Sequence, residues 1–473
     1  MNAAERIYNA STREDENPAR LAEQLARHIE DDIASERIAP GGALGSLREL
    51  SERYAVGRAV IREAVGLLER RGLGVLRPGP CGGFIIKRPA PHSIAEELAD
   101  YFRTANVTLS HVVDAREAID LTIARLAARA RPSPTGLARL TLAAREGGLG
   151  AHLAVRREIA RLTGQPALML MVKCLNMLTL DHEDPDDAGE AAASPRPLSV
   201  EMMRQALVNG DEDMAASEAS RLHAGLIVRL RPQKGLQDVR PIETARLADE
   251  RTLAVTVARK LAAEIVRSGT TGQRLGSEWD LCERFSVSRL TLRQAIRILQ
   301  DSGLVECRRG RGNGLVVRNQ RGTGSIRLVL AYLIGRQMDV QAAGTILFQL
   351  NGFMPALAIA RADDEERRTL EKLLARLEGS ETFERYDLLK LVQRISQLAE
   401  SPIIDFFSRC IAAYEARFHP SLAERLPGSV QASYFRLVRQ LLNSICDERD
   451  YDLAWAKARS GQVMLEMSRN RPI

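Results

Sequence analysis

The sequence predicts a mainly α-helical fold with small β hairpins, in which one helix-and-hairpin unit occurs twice and is each time followed by an all-helical bundle. Three observations lead to this fold class. Aromatic residues make up only 4% of the 473 residues, which favours helices packed by aliphatic side chains over β-sandwiches. Apolar residues recur at helical spacing in many segments. A stretch of 43 residues occurs twice.

The repeat can be read directly from the chain. The segment that starts at Leu44, LGSLRELSERYAVGRAVIREAVGLLERRGLGVLRPGPCGGFII, aligns without gaps with the segment that starts at Leu275, LGSEWDLCERFSVSRLTLRQAIRILQDSGLVECRRGRGNGLVV. Aligned residues are always 231 positions apart, so that Arg58 corresponds to Arg289. A gapless match of this length indicates one supersecondary unit that is used twice.

Each copy predicts the same order of elements. In the first copy, Ser46 can cap a helix at 47–54, and a second helix at 58–71 ends at Gly72, where a left-handed residue is favoured. Two β-prone runs then flank a turn-rich tip at 77–83. With the amphipathic helix that precedes each copy, this order is that of a winged helix-turn-helix. The second copy predicts helices at 278–285 and 289–302 and a wing tip at 308–314.

Composition breaks suggest the domain boundaries. Pro-containing linkers at 87–92 and 231–241 follow the first predicted wing and the first helical domain, and a third break at 319–324 follows the second wing. The predicted divisions are a disordered tail at 1–17, a first winged domain at 18–90, a helical effector-like domain at 91–235, a linker at 236–249, a second winged domain at 250–320 and a second helical domain at 321–473.

Charge is concentrated in the two copies. Residues 44–90 carry nine basic and four acidic side chains, and residues 274–321 carry ten and five. Each copy therefore has a net charge of +5, whereas the whole chain has +6. This asymmetry is typical of a nucleic-acid binder with separate assembly or ligand domains.

Several protein classes find little support. The sequence has no Walker loop, HExxH or GxSxG motif, so no enzyme or cofactor is indicated. Its six cysteines include no CxxC pair, which argues against a zinc knuckle. The polar N-terminus and the absence of a run of 18 apolar residues predict a soluble, cytoplasmic protein with no membrane contact.

Paired arginines start both predicted recognition helices. Arg58 and Arg62 are one turn apart, and so are Arg289 and Arg293. The N-terminal residues of such a helix lie at base edges in the major groove, where arginine bonds guanine in bidentate fashion. A solvated helix face explains a single arginine equally well, but matched pairs beside two Gly-rich wings favour double-stranded DNA as partner.

Both copies resemble the GntR superfamily, and specifically its FadR-like branch, whose signature runs approximately LPSERELAExFxVSRxPVREALxxLxxxGLV. Three departures stand out: Trp279 replaces the first signature arginine, Leu47 replaces its glutamate, and Ala59 and Leu290 replace the Thr that usually follows the first recognition arginine. The resemblance implies that DNA is contacted by Arg48, Arg58, Arg62, Arg77, Gly79, Gly82 and Gly83 and by Ser277, Arg289, Thr291, Arg293, Arg308, Arg309, Arg311 and Asn313.

The helical regions resemble the FCD-type effector domain of that branch. ALVNGDEDMA, which starts at Ala206, matches one of its segments. Many members bind a metal there through one Asp and three His. The corresponding residues here are His152, Arg156, Val200 and Leu222 or His223, and in the second half Leu388 and Val392. Since Arg and Val do not ligate metals, we expect no metal, with His152 and His223 as weak candidates, and a small organic effector stays open.

Three functional alternatives follow. The first is a sequence-specific transcription regulator, a repressor by preference, whose two different modules form an intramolecular pseudo-dimer on an asymmetric operator. The second arrangement is a homodimer with four modules. The third is a protein-interaction scaffold whose winged helices have lost most of their DNA affinity, which the changed recognition residues favour. The operator, the regulated genes and the effector are not encoded in any recognisable pattern.

Overall fold

The computed structural model describes most of the chain. The described residues are 18–35, 41–79, 82–87, 90–105, 107–145, 148–182, 197–230, 254, 257–258, 260–261, 264–265, 272–301, 305–307, 314–317, 323–378, 385–418, 435–440 and 442–443. The chain divides into two compact units. The first comprises Met1–Glu97 with Ser325–Asp339, and the second comprises Leu98–Gly324 with Val340–Ile473.

The first module belongs to the first unit and has the predicted winged helix-turn-helix order. Its strands form an antiparallel sheet in the order β1-β3-β2. Strand β1 is not predicted by the sequence, because three residues are too few for an alternating pattern. The elements are α1 (Pro18–Ser35), β1 (Ala43–Gly45), α2 (Leu47–Arg53), α3 (Arg58–Arg70), β2 (Gly74–Arg77) and β3 (Gly83–Ile86).

Local interactions fix the ends of these helices. The Ser46 hydroxyl accepts a hydrogen bond from the Glu49 N–H at 3.2 Å, and the Glu49 carboxylate accepts one from the Ser46 N–H at 2.7 Å. This capping box starts α2. Ala55 has a φ of +50° in the turn between α2 and α3, and Gly72 has a φ of +72° after α3. The predicted cap and the predicted left-handed stop are both confirmed.

The core of the first module is aliphatic. Each of its three helices contributes fully buried side chains, and Phe84 of β3 closes the core from the sheet side. Burial of apolar surface stabilises the folded state by roughly 25 cal/mol per Å². Each helix therefore turns its apolar stripe to the core, and the residues on its other face remain exposed. The fully buried aliphatic side chains include Leu25, Ile29, Leu50, Ile61 and Leu68.

A helical bundle follows in the first half. Helix α5 lies at the centre of this bundle and packs against α7, α8, α9 and α10. It is buried along most of its length, including charged residues that are described below. The helices in the described part of this half are α4 (Pro91–Thr104), α5 (Leu109–Ala130), α6 (Pro134–Ala143), α7 (Gly148–Leu162), α8 (Pro166–Leu180), α9 (Pro197–Asn209) and α10 (Glu212–Leu230).

The second module repeats the first within the second unit. Its sheet order is β4-β6-β5, and its two central helices start 231 residues after α2 and α3. The helix predicted at 252–266 is described only at residues 254, 257–258, 260–261 and 264–265, which are helical. The other elements are β4 (Arg274–Gly276), α11 (Glu278–Phe285), α12 (Arg289–Asp301), β5 (Val305–Cys307) and β6 (Leu315–Val317).

The second half continues with further helices: α13 (Thr323–Gly335), α14 (Val340–Arg361), α15 (Asp364–Glu378), α16 (Arg385–Ala399) and α17 (Pro402–Phe418). Helix α14 packs against α16, α17 and also α5 of the first half. Across this contact, Arg125 Nη1 donates to Gln349 Oε1 at 3.4 Å, and the Arg361 guanidinium pairs with Asp114. The two helical regions are therefore in direct contact within one chain.

A helix of the second half also completes the first unit. Ala331 of α13 is fully buried in the core of the first module. Arg327 of α13 lies 2.9 Å from Glu23 of α1, and Glu23 also accepts a hydrogen bond from Arg71 at 2.8 Å. The first module therefore depends on residues that lie far away in the sequence.

Helix α14 bears on the prediction that no segment spans a membrane. Val340–Arg361 is long and apolar enough to cross a membrane by length and composition, with a mean hydropathy of 1.4 in its most apolar window. It is not an uninterrupted apolar run, since Gln341, Gln349 and Asn351 lie within it, so it does not contradict the prediction. In addition, 72% of that window is buried inside the protein, as is typical of a core helix that is apolar on all sides.

Candidate nucleic-acid interface

Helix α3 presents two arginines on its solvent face. Arg58, Ala59 and Arg62 are exposed at its N-terminal end, whereas Ile61 and Ala64 are buried. Because residues four apart share a face, Arg58 and Arg62 point to the same side. Within the part of the chain that the structure describes, neither guanidinium has an ion-pair or hydrogen-bond partner. Both charges are therefore available to an anionic ligand.

The neighbouring elements of the first module add two more exposed cations. Arg48 lies in the first turn of α2 and its Nε is 3.2 Å from Glu52 Oε1 in a solvent-exposed pair. Arg77 is exposed at the end of β2. Gly79 follows in the wing with a φ of +115° and open space around its Cα. Such a residue lets a phosphate approach the backbone closely.

Gly82 and Gly83 are required by the fold of the wing itself. A Cβ on Gly82 would lie 2.3 Å from the Arg77 carbonyl oxygen, and a Cβ on Gly83 would lie 2.6 Å from the Gly45 carbonyl oxygen. Gly83 is buried in β3 and has a φ of +136°. Close strand packing therefore explains why position 83 is a glycine. Because Gly83 is buried, it differs from the exposed residues that are predicted to contact DNA.

The second recognition helix, α12, begins with a side-chain cap that α3 lacks. The Ser288 hydroxyl accepts a hydrogen bond from the Thr291 N–H at 3.1 Å and lies 2.9 Å from the Thr291 hydroxyl. Gly57, which occupies the equivalent position before α3, forms no side-chain cap. Arg289 is exposed, and no ion-pair or hydrogen-bond partner is found for it among the described residues.

Ser277 has a structural task in the second module. Its hydroxyl accepts from the Asp280 N–H at 3.2 Å, while the Asp280 carboxylate accepts from the Ser277 N–H at 2.8 Å. The backbone hydrogen bond from Ser277 lowers the pKa of Asp280. This capping box matches the one at Ser46, so it starts α11 in the same way.

Arg293 differs from its counterpart Arg62. Its Nε lies 3.1 Å from Glu278 Oε2 and 3.3 Å from Glu278 Oε1. In the first module, the residue that corresponds to Glu278 is Leu47, which packs partly buried against the core. The second recognition helix therefore carries one arginine that is already paired with a carboxylate. Sequence alone gives the two residues but not their contact.

Two large apolar side chains are exposed beside these arginines. Trp279 has 60% of its surface exposed in the first turn of α11, and Leu290 has 70% exposed in the first turn of α12. Both positions differ from the family signature. The predicted wing residues of this module lie outside the described residues: Arg308, Arg309, Arg311 and Asn313.

The helical domain of the first half contains a buried ionic cluster. Arg156 Nε donates to Asp120 Oδ2 at 2.6 Å, and its other nitrogens donate to the carbonyl oxygens of His152 at 2.9 Å and Leu222 at 3.0 Å. Arg116, also buried, donates to the Thr179 hydroxyl at 2.7 Å. Burial lowers the pKa of Arg116 to about 9, so it remains charged at neutral pH.

This cluster bears on the metal prediction. Among the described residues, no three His, Cys, Asp or Glu side chains are grouped closely enough to hold a metal. His223 Nδ1 lies 3.8 Å from Asp120 Oδ2, beyond hydrogen-bonding distance. The Arg156 guanidinium already occupies this place, where it contacts the Asp120 carboxylate and the carbonyl oxygens of His152 and Leu222. The side chains at this place therefore do not fit a metal.

A cavity of about 10 Å³ adjoins the cluster. It is lined by Asp120, Arg156 and four apolar residues: Ile123, Ile159, Ala219 and Leu222. A volume of this size is below the roughly 300 Å³ of small-molecule pockets. The small organic effector therefore stays a prediction to which the cavity adds little.

Parts of the chain are similar to known proteins. The family model described as "Bacterial regulatory proteins, gntR family" matches residues 21–80 and 253–321. The HTH-type transcriptional regulator Rv0792c of Mycobacterium tuberculosis is 43% identical over 56 residues, which cover 12% of this chain and 21% of that protein. The uncharacterized HTH-type transcriptional regulator Rv0494 of the same organism is 33% identical over 136 residues, covering 28% of this chain and 53% of that protein.

The chain thus spans about a fifth of the first relative and about half of the second. Streptococcus agalactiae GntR, a solved structure, aligns over all of its own length and 46% of this chain, with 18% identity and a TM-score of 0.35. The two matched segments coincide with the two winged modules described above. Both winged modules are thus similar to the gntR family of bacterial regulatory proteins.

Proposed function

We propose that this chain is a cytoplasmic, DNA-binding transcription regulator, and specifically a repressor, that uses both winged modules on one operator. The observation that carries the proposal is the exposed arginine pair at the start of α3, matched by Arg289 and Arg293 at the start of α12. The relatives are named as transcriptional regulators. A protein that occupies an operator with two recognition helices blocks access to that DNA, which favours repression.

We propose further that the two halves form a pseudo-dimer within one chain. Helices α5 and α14 begin and end 231 residues apart in the sequence, and they pack against each other. In a symmetric dimer, the same helix of two subunits would meet in this way. The Arg125–Gln349 and Arg361–Asp114 contacts support an interface of that kind inside the chain. The FadR-like ancestry and the duplication of the whole chain belong to the same proposal.

The proposed operator is asymmetric. The residues at equivalent recognition positions differ. Ala59 corresponds to Leu290, and Arg48 corresponds to Trp279. Since base edges are read by these side chains, the two half-sites should differ in sequence. The helical domains serve assembly in this proposal, with the sensing of a small organic effector as their second proposed role.

Fluorescence anisotropy with operator and random DNA at several salt concentrations tests the proposal. We expect Arg58→Ala/Arg62→Ala and Arg289→Ala/Arg293→Ala each to reduce the affinity about tenfold or more and to flatten the salt dependence by about one unit for each phosphate that the variant no longer neutralises. The control Arg139→Ala/Arg145→Ala removes two exposed arginines of the helical region and should leave binding unchanged. A wild-type protein without salt-dependent DNA affinity would refute the regulator.

The arrangement of halves needs a separate measurement. Light scattering coupled to size exclusion should give the mass of one chain, 52.2 kDa, in the absence of DNA. A homodimer at every concentration would instead favour four modules per assembly.

A protein-interaction scaffold is the second candidate function. The 60% exposure of Trp279 and the 70% exposure of Leu290 favour it, because large exposed apolar side chains are enriched at protein interfaces. For a scaffold, we expect the wild type to bind DNA only weakly. Both arginine double variants should leave this weak binding unchanged.

A further inference from the structure

Leu290 occupies an unusual place for a leucine. It is the second residue of α12 and follows Arg289 directly, with 70% of its surface exposed. The buried face of α12 is already complete without it, since Leu292, Ala295 and Leu299 are almost fully buried in the module core. Leu290 therefore does not contribute to the core, and its side chain lies on the face that carries the arginines.

The start of α12 holds Leu290 in a defined orientation. Ser288, two residues earlier, caps the helix through the Thr291 N–H at 3.1 Å and also contacts the Thr291 hydroxyl. A capped first turn frays less than an uncapped one. The equivalent turn of α3 has Gly57 as its N-cap, without a side-chain hydrogen bond, and Ala59 in place of leucine.

The chemistry of the major groove identifies what such a side chain can recognise. Thymine alone presents an apolar group there, its C5-methyl, whereas the other bases present hydrogen-bond donors and acceptors. A leucine beside a base-reading arginine offers no hydrogen bond to a polar base edge, but it can pack against a methyl group. It therefore favours thymine at the base pair that it contacts. Leucine extends two bonds beyond the Cβ at which alanine ends, so it reaches a methyl that Ala59 does not reach at the same docking depth.

We infer that Leu290 makes the second module selective for thymine at one base pair of its half-site, and that the first module lacks this selectivity. The inference rests on the proposed function as a DNA-binding regulator. It distinguishes the two half-sites by a single methyl group and not by an extra hydrogen bond.

Replacing thymine by uracil tests the inference, since deoxyuridine removes only the methyl group. A binding site is first selected from a random DNA pool with the full chain, and each thymidine is then replaced singly. We expect one position, in one half-site only, at which the affinity falls about fourfold, as loss of one buried carbon predicts. Leu290→Ala should bind the thymine and uracil forms of that position equally, whereas Ala59→Leu should create a second sensitive position in the other half-site.

Leu198→Ala is the matched control, because it removes a leucine that is also the second residue of its helix and is 71% exposed, but lies outside both winged modules. It should leave the thymine-to-uracil ratio at that position unchanged. If no uracil substitution weakens the wild type, or if Leu290→Ala keeps the full sensitivity, the inference is wrong although the protein still binds DNA; Leu290 then belongs to a protein contact. Failure to bind any DNA in the selection would instead refute the proposed function itself.

Discussion

The first helical domain buries an ionic cluster, whereas the second has uncharged, half-buried residues at the corresponding positions. Arg116, Asp120 and Arg156 are all buried. The first two have counterparts 231 residues later, in α14, and the third has its counterpart 236 residues later, in α16. Those counterparts are Leu347, Asn351 and Val392, each of them half-buried. The same order of helices therefore accommodates either an ionic cluster or uncharged side chains at these positions.

The exposed faces of the two recognition helices also differ, but here the ion pair is in the second half. Arg62 of the first module faces no acidic partner among the described residues, whereas Arg293 of the second module is paired with Glu278. Ion pairs thus lie in the buried interior of the first half and on the exposed surface of the second module. Equal sequence spacing does not guarantee equal electrostatics, because a partner several residues or one helix away decides whether a cation is available.

The largest effect is expected when the buried cluster is broken. Asp120→Asn, which introduces the residue type of Asn351, leaves Arg156 charged without its carboxylate. We expect the free energy of unfolding to fall by about 3 to 5 kcal/mol, since removal of one member of a buried pair leaves an uncompensated charge. Denaturant titration followed by circular dichroism measures it.

Two further variants sharpen this result. Asp120→Asn/Arg156→Val copies Asn351 and Val392 together, so it should be more stable than Asp120→Asn alone, because apolar replacement of a whole ion pair is often neutral. Glu201→Gln removes an exposed ion pair with Arg204 and should leave stability unchanged. If Asp120→Asn behaves like this control, the cluster does not stabilise the domain.

The next effect concerns the helix that completes the first module. Ala331→Asp introduces the residue that the first half has at the equivalent position, Asp100, into a fully buried site. We expect the first module to lose about 2 kcal/mol or more of local stability, since a buried carboxylate without a partner is unfavourable. Hydrogen exchange of the α2 and α3 amides measures the loss. Gln337→Asp adds the same charge at an exposed position and should leave that exchange unaltered.

A smaller effect should follow from exchanging the residues that face the recognition arginines. Glu278→Leu releases Arg293, and we expect DNA affinity to rise up to about fivefold, the range of an exposed ion pair. Leu47→Glu should lower affinity by a similar factor by pairing with Arg62. The neutral variants Glu278→Gln and Leu47→Gln separate charge from packing. Equal affinities for all four variants would mean that the Glu278 pair does not limit Arg293.

The smallest effect is the acid response of the first helical domain. Burial alone would raise the pKa of Asp120, but the Arg156 guanidinium, together with His223 and Arg116, outweighs it and holds that pKa below the ordinary 3.8. A carboxyl whose pKa is lowered by folding stabilises the protein above its unfolded pKa, and this contribution is lost as pH falls through the folded pKa. Wild type should therefore lose more stability than Asp120→Asn below about pH 4, as acid titration of the unfolding free energy will show. Parallel acid curves would contradict the lowered pKa.

Much of each winged module could be predicted from the sequence. The helices from Leu47 and Arg58, the Ser46 cap and the Gly72 stop depend on interactions within a few residues, and local patterns report such interactions directly. Strands β1 and β4 could not be predicted, because they are defined only by pairing with β3 and β6. The spacing in the sequence identifies the candidate arginines. It does not show whether an arginine is already paired with a carboxylate, as Arg293 is with Glu278.

The repeat, the order of elements and the arginines at the start of both recognition helices can be read from the sequence. Only the tertiary structure shows that Glu278 pairs with Arg293, that Arg156 joins Asp120 to the Leu222 carbonyl oxygen, and that α13 packs on the first module. Each of these contacts joins residues from different elements. Their formation depends on how helices pack, and the periodicity of a single helix specifies which face is buried but not which partner covers it.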